Sequence, residues 1–269
     1  MNNEKKSSLF ISSAFALKVT NRAEILLHIS ISFSKKYFKF RFQESLIMRN
    51  AKNISRIIGS LLLVQLTGLI APFAMLHPII RTDFLESAAG SSTQIKAAVL
   101  LLLANCALTI AISIAAFPVF REYSSAAAVL LVSLSVIMFS LQAVDNAHLM
   151  AMLSLSQEYV QSSGRDEIFQ TLSPIIRSTR IWSHYPELLA IDSWICALYG
   201  FLYRFALVPR VIAVFGLITV LLHFTAIPLP LFLGYGGVTL LGVPMAASHI
   251  TLASWLIVKG FREQPAILE

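Results

Sequence analysis

Two acid–histidine pairs stand out among the residues of this chain that can do chemistry. Asp145 and His148 are three residues apart, as are His184 and Glu187, so on a helix each pair shares a face. His77 sits beside a proline at the end of another apolar stretch. Acid–x–x–His spacing is what carboxylate-bridged metal centres in helix bundles use, and imidazole suits zinc, copper or iron. The competing reading is plainer: polar residues end apolar helices where these meet water, and a spacing of three recurs by accident. On that balance His77, Asp145, His148, His184 and Glu187 form a candidate outer cluster, no metal is assigned to it, and no cofactor is expected.

Asp192 is a different case. It lies about eleven residues into an apolar run, on the order of 16 Å at 1.5 Å per residue. A carboxylate at that depth in a membrane is costly unless a partner or water meets it, and it should face a bundle interior. Gln65, Asn105, His223 and His249 fall inside other apolar runs and are its candidate partners. Two roles stay open for this polar core: a structural interhelical hydrogen bond, or the handling of a proton or small solute. His223 and His249 both fall near the middle of their runs, but no histidine pattern repeats at two depths, so haem is not assigned either. Neither a Walker loop, a dinucleotide fingerprint, HExxH nor GxSxG occurs. Catalytic residues are therefore unassigned. Ser133, Ser135 and Ser140 read as packing or back-bonded groups, and Cys106 and Cys196 as small buried side chains.

The elements that must position these residues are membrane helices. Only 13% of the 269 residues are charged and 57% are hydrophobic, against about a quarter charged in a globular domain. Several apolar runs approach twenty residues, which makes lipid the main solvent. Six spans are predicted, at 57–78, 95–118, 126–147, 181–203, 211–232 and 238–258. Pro72 is expected to kink the first and Pro244 to break the sixth. Ala107, Ala111 and Ala115 give the second span a smooth face for close packing. Residues 148–180 are read as the long outer loop, with Ile168, Phe169, Leu172, Ile175 and Ile176 at helical spacing in a short amphipathic helix. Asp166 would cap its start and Pro174 disturb its end. LGYGG reads as a tight, uncharged turn.

The formal net charge is +7. Residues 1–47 hold eight Lys/Arg and three acids, which contributes +5; the remainder contributes +2. No basic face on a folded domain is evident, so nucleic acid is not an expected partner. Outside that leader, Arg49, Lys52, Arg56, Arg121, Arg204, Arg210, Lys259 and Arg262 fall on one side of the predicted spans, and Arg81, Lys96, Arg165, Arg177 and Arg180 on the other. The larger set hugs the spans in short loops, which places both termini inside. Residues 1–47 form an extension outside the membrane domain of 48–269. Two readings stay open for it: a disordered leader, or sequence upstream of a true start at Met48, where MRNAKNISRIIG begins.

From Asn53 onward the chain resembles a bacterial six-helix membrane family known only as a domain of unknown function, DUF4386. The resemblance rests on ISRIIGSLLLVQLTGLIAP in the first span, on ALYGFLYRFALVPRVIAVFGLI across the fourth and fifth, and on WLIVKGFRE near the end. It implies a six-helix integral membrane protein and carries over no reaction and no catalytic residue.

The sequence therefore predicts an all-α, polytopic bundle of six transmembrane helices in a bacterial inner membrane, with the bilayer as its first partner. The leading expectation for function is binding or movement of a small solute or proton, or assistance to another membrane protein. The competing classes are a metal-dependent membrane enzyme using the outer Asp/His/Glu cluster, and a structural or signalling partner without chemistry.

Overall fold

A run of twenty apolar residues has no water to satisfy its backbone, and within a single segment only a helix does so. The computed structural model describes residues 51–262 except 82, 163–166 and 234–240, and no strand occurs among the described residues. These residues belong to a compact unit that starts at Ala51. In chain order its helices are α1 (Ala51–Arg81), α2 (Phe84–Gly90), α3 (Ser92–Tyr123), α4 (Ser125–Gln161), α5 (Glu167–Arg204), α6 (Arg210–Ala226), α7 (Pro228–Leu233) and α8 (Val243–Val258).

The longer helices close a ring. α1 packs on α3 and α8, α3 on α4, α4 on α5, α5 on α6, and α6 back on α8. The core inside the ring draws Ile58 from α1, Ile112 from α3, Leu131 from α4, Trp194 from α5, Val220 from α6 and Leu252 from α8. Among the described residues, three helices are long and apolar enough to cross a membrane, over Lys52–Ile80, Ser92–Tyr123 and Ser125–Gln161. α6 and α8 are equally apolar in character but shorter, at 17 and 16 residues. α5 has 38 residues, and Arg180, His184, Glu187 and Asp192 interrupt its apolar sequence.

A single residue turns α3 into α4. The Ser124 N–H donates to Phe120 O (2.8 Å), and its side chain accepts from the Ala127 N–H (3.3 Å). At the same end of the ring the Phe120 ring meets Phe205 in the α5–α6 turn, and the Arg262 N–H donates to Leu207 O (2.8 Å). Arg56 Nε on α1 donates to Ile257 O on α8 (3.3 Å). Lys52, Arg56, Arg121, Arg204, Arg210, Lys259 and Arg262 are thus gathered at one end of the bundle.

At the opposite end the helices outrun the bundle. α4 has 37 residues, or about 55 Å at 1.5 Å per residue, against roughly 30 Å of hydrocarbon. Its far half pairs with the start of α5, and α2 lies against it. A second apolar core forms there from Leu76, Phe84, Leu85, Ile95, Leu149 and Leu153, with Phe169 and Ile176 packed on it. Asp83 caps α2, its carboxylate accepting from the Leu85 N–H at 3.1 Å.

Several expectations change. Residues 148–180 are not a loop with a short surface helix: α4 continues to Gln161, and α5 runs unbroken from Glu167 through Pro174 and Pro186. The polar stretch misled because polar residues read as a loop when hydropathy alone is followed, although both segments are helical. α1 likewise runs through Pro72 and Pro78. The predicted fifth span divides into α6 and α7, and Pro244 starts α8 rather than breaking a span, since a first-turn proline removes no intrahelical bond. Ala107 and Ala111 are exposed, so the alanine stripe is not the packing face of α3; Cys106, Thr109, Ser113 and Ala116 are. Ser135 and Ser140 bond back to Val132 O (2.7 Å) and Val136 O (2.9 Å), as expected. Asp166, most of LGYGG and residues 1–50 lie outside the described residues.

Candidate functional site

The polar residues of α5 divide between two faces of the helix. Arg180, Ser183, His184 and Glu187 recur at intervals of three and four, which aligns them on the side that meets α4. Asp192, five residues beyond Glu187, is turned by more than a right angle toward α6. The two candidate groups are therefore separate sites.

On the first face Asp145 of α4 reaches across to α5. Its carboxylate accepts from Ser183 Oγ at 3.1 Å and lies 3.4 Å from Arg180 Nε and 3.7 Å from His184 Nδ1. The His184 Nδ1 is also 2.7 Å from Glu187 Oε2. Asp145 and Glu187 are buried, while the His184 side chain is 37% exposed. The expected Asp145–His148 pairing is not the one formed. Asp145 turns toward the guanidinium and hydroxyl of α5, and His148 Nδ1 is buried with no hydrogen-bond partner among the described residues. His77 is exposed, its ring 5.4 Å from that of Phe73 on its own helix.

On the second face Asp192 is fully buried and its Oδ1 lies 2.7 Å from His223 Nδ1 of α6. Asp192 Oδ2 is buried with no hydrogen-bond partner among the described residues. His223 is three residues from the end of α6. A methyl placed at Gly242, just ahead of α8, would lie 3.6 Å from His223 Nε2, so the imidazole spans from Asp192 to the chain entering α8.

Below this pair, toward the basic end, the α5–α6–α8 seam carries a hydroxyl network. Thr219, one turn from His223, donates to Ser248 Oγ at 3.0 Å, and the Tyr199 hydroxyl, two turns from Asp192, donates to the same oxygen at 3.3 Å. The buried Ser248 hydroxyl donates in turn to Met245 O at 2.8 Å. The His249 ring meets the edge of Tyr199 at 5.6 Å, and its Nδ1 is 3.0 Å from Met245 O. Gly216 makes this seam close: a methyl there would overlap the Tyr199 ring.

Of the candidate core residues, then, Asp192 and His223 meet each other, and His249 lies lower on the same seam. Gln65 and Asn105 are elsewhere. Gln65 Nε2 donates to Thr109 Oγ1 across the α1–α3 contact, and Asn105 Oδ1 beside Gly68 is buried without a hydrogen-bond partner among the described residues. Thr219, Tyr199, Ser248, Arg180 and Ser183 escaped sequence reasoning, since a lone hydroxyl in an apolar run reads as packing. Gly216-x-x-Thr219 was the available signal, a bare residue one turn from a hydroxyl. Gln142 and Asn146 escaped it too: Gln142 Nε2 donates to Asn146 Oδ1 (3.1 Å), and Asn146 Nδ2 to Val99 O (3.2 Å), tying α4 to α3.

Chemically, the second face can hold and pass a proton. A carboxylate and an imidazole within 2.7 Å can share one directly. Apolar crevices lie elsewhere among the described residues, between Ile58, Phe120, Leu202 and Leu256 and between Leu76, Phe84, Ile95 and Met152.

Compared with known proteins, residues 57–260 match the model of a family described as "Domain of unknown function (DUF4386)". No curated protein and no solved structure matches the chain.

Proposed function

The chain belongs to the DUF4386 family, whose description supplies no activity, and from its own residues we propose that it is a six-span protein of the bacterial inner membrane that takes up and relays a proton at Asp192 and His223. The carrying observation is the buried carboxylate with one oxygen on His223 Nδ1 and the other unbonded among the described residues. An ionisable group at such depth is expensive and is kept where an ion or proton must pass. The hydroxyl group Thr219–Ser248–Tyr199 lies on the same α5–α6–α8 seam, nearer the basic end. The proton, rather than a larger solute, fits the close packing of the seam around the buried Asp192, Thr219 and Tyr199.

The six-span reading is supported by the closed ring of α1, α3, α4, α5, α6 and α8. The inside location of both termini is supported by the seven Lys/Arg gathered at the end where α1 starts and α8 stops. Asp192 lies twelve residues from Arg204, on the order of 18 Å from that end, which is deep in the bilayer on either side.

Reconstituted vesicles holding a pH-sensitive dye test this reading. The native protein should dissipate an imposed pH gradient faster than Asp192→Asn, which should match protein-free vesicles. Equal rates for the native protein and Asp192→Asn would overturn it.

A further inference from the structure

The outer face of α5 carries a second and independent site. We propose that Asp145, His184 and Glu187 bind a first-row divalent cation, with zinc the best match, and that the ion clips α4 to α5 at the outer end of the bundle.

The geometry comes first. One ligand atom from each residue converges, His184 Nδ1 with Glu187 Oε2 at 2.7 Å and with Asp145 Oδ2 at 3.7 Å, and all three atoms lie within 4.8 Å of one another. Tetrahedral zinc with nitrogen and oxygen ligands at about 2.0–2.2 Å needs those atoms about 3.3–3.6 Å apart. The three ligand atoms thus bracket the spacing that the ion needs. One imidazole with two carboxylates is a donor set that zinc accepts, and three protein ligands leave a fourth position for water. The half-exposed imidazole provides that open side, while both carboxylates are buried.

Charge and support come second. Two buried carboxylates face one guanidinium, which leaves a negative charge when the imidazole is neutral. Arg180 holds Asp145 loosely: its nitrogens stand 3.4 and 3.5 Å from the carboxylate oxygens, beyond the roughly 2.7–2.9 Å of a direct charge-assisted bond. A dication exchanges with that guanidinium and neutralises both carboxylates. Ser183 Oγ, at 3.1 Å from Asp145 Oδ1, orients the carboxylate, and the ion takes the place of the loose Arg180 contact at Oδ2. His148, which sequence spacing paired with Asp145, is not part of the donor set.

The test uses the full chain purified in detergent, stripped with a chelator and titrated with Zn(II) by calorimetry and with Co(II) by visible absorption. One equivalent should bind, with cobalt d–d bands of a four- or five-coordinate site. His184→Asn and Glu187→Gln should each weaken binding by more than about a hundredfold, a larger loss than the 10–100-fold of an outer-shell change. Arg180→Gln should tighten it by about tenfold or more, by removing the competing cation. This last variant keeps every ligand and so reads the site even if a ligand substitution unfolds the chain. Asp192→Asn should leave metal binding intact, which separates this site from the proton pair. No stoichiometric binding to the native protein, or affinity unchanged in His184→Asn and Glu187→Gln, would show an ion-pair cluster balanced by a protonated imidazole and overturn the proposal.

Discussion

Replacing His223 with leucine removes the hydrogen-bond partner recorded for Asp192. The carboxylate is fully buried, its Oδ2 has no partner among the described residues, and its Oδ1 is held by His223 at 2.7 Å. Removing one member of a buried charged pair typically costs about 3–5 kcal/mol, because the other is stranded. For a chain of this length that lowers Tm by roughly 10 °C. Asp192→Asn keeps an oxygen that can accept from the imidazole and should cost about 1 kcal/mol. The double substitution Asp192→Leu with His223→Leu should recover most of the loss, since apolar groups of similar volume commonly replace a buried pair at little cost. It should also abolish proton movement. Thermal unfolding is readable with a thiol-reactive dye in a Cys196→Ala background, because the remaining cysteine, Cys106, is free and buried. A strong positive coupling between the two sites is expected. Additive losses, with the double variant less stable than His223→Leu alone, would refute the idea that the pair is held for function at the expense of stability.

Other substitutions test separate parts of the structure. Gly216→Val should destabilise by about 1–3 kcal/mol, as overpacking does, and should slow proton movement by displacing the Tyr199 ring that a side chain there would meet. Ala107→Leu and Ala111→Leu should change stability by no more than about 0.5 kcal/mol, because both alanines face outward; a loss of several-fold more would place a partner on that face. Cysteines introduced one at a time at Arg121 and Trp182 should be labelled from outside intact cells only at position 182, and labelling at 121 would invert the proposed topology.

Fold class was legible because lipid demands it: runs of apolar residues near twenty long have no alternative to helix. The turn at Ser124 and the α5–α6 turn fall in the gaps between the predicted spans, at 119–125 and 204–210. What the sequence hid was everything set by register between helices. Spacing of three could see Asp145 with His148 on one helix, yet Asp145 found Arg180, Ser183 and His184 on the next. The continuation of α4 to Gln161 and the start of α5 at Glu167 were hidden too, because polar residues there look like a loop when only hydropathy speaks. Depth arithmetic placed Asp192 and His223 both near mid-span, but Asn105 and Gln65 also fell inside apolar runs and stood as candidate partners beside His223. Only the ring order of helices, with α6 rather than α3 facing that side of α5, separates them.

Infrared difference spectroscopy of the purified protein, recorded as bulk proton activity is changed, tests most directly whether Asp192 and His223 exchange a proton. The expected result is a carboxyl signal that comes and goes with proton activity, vanishes in Asp192→Asn, and moves together with an imidazole ring signal in the native protein. A carboxyl signal that stays constant wherever the protein remains folded, or one that survives Asp192→Asn unchanged, would contradict a proton-relaying role for the pair.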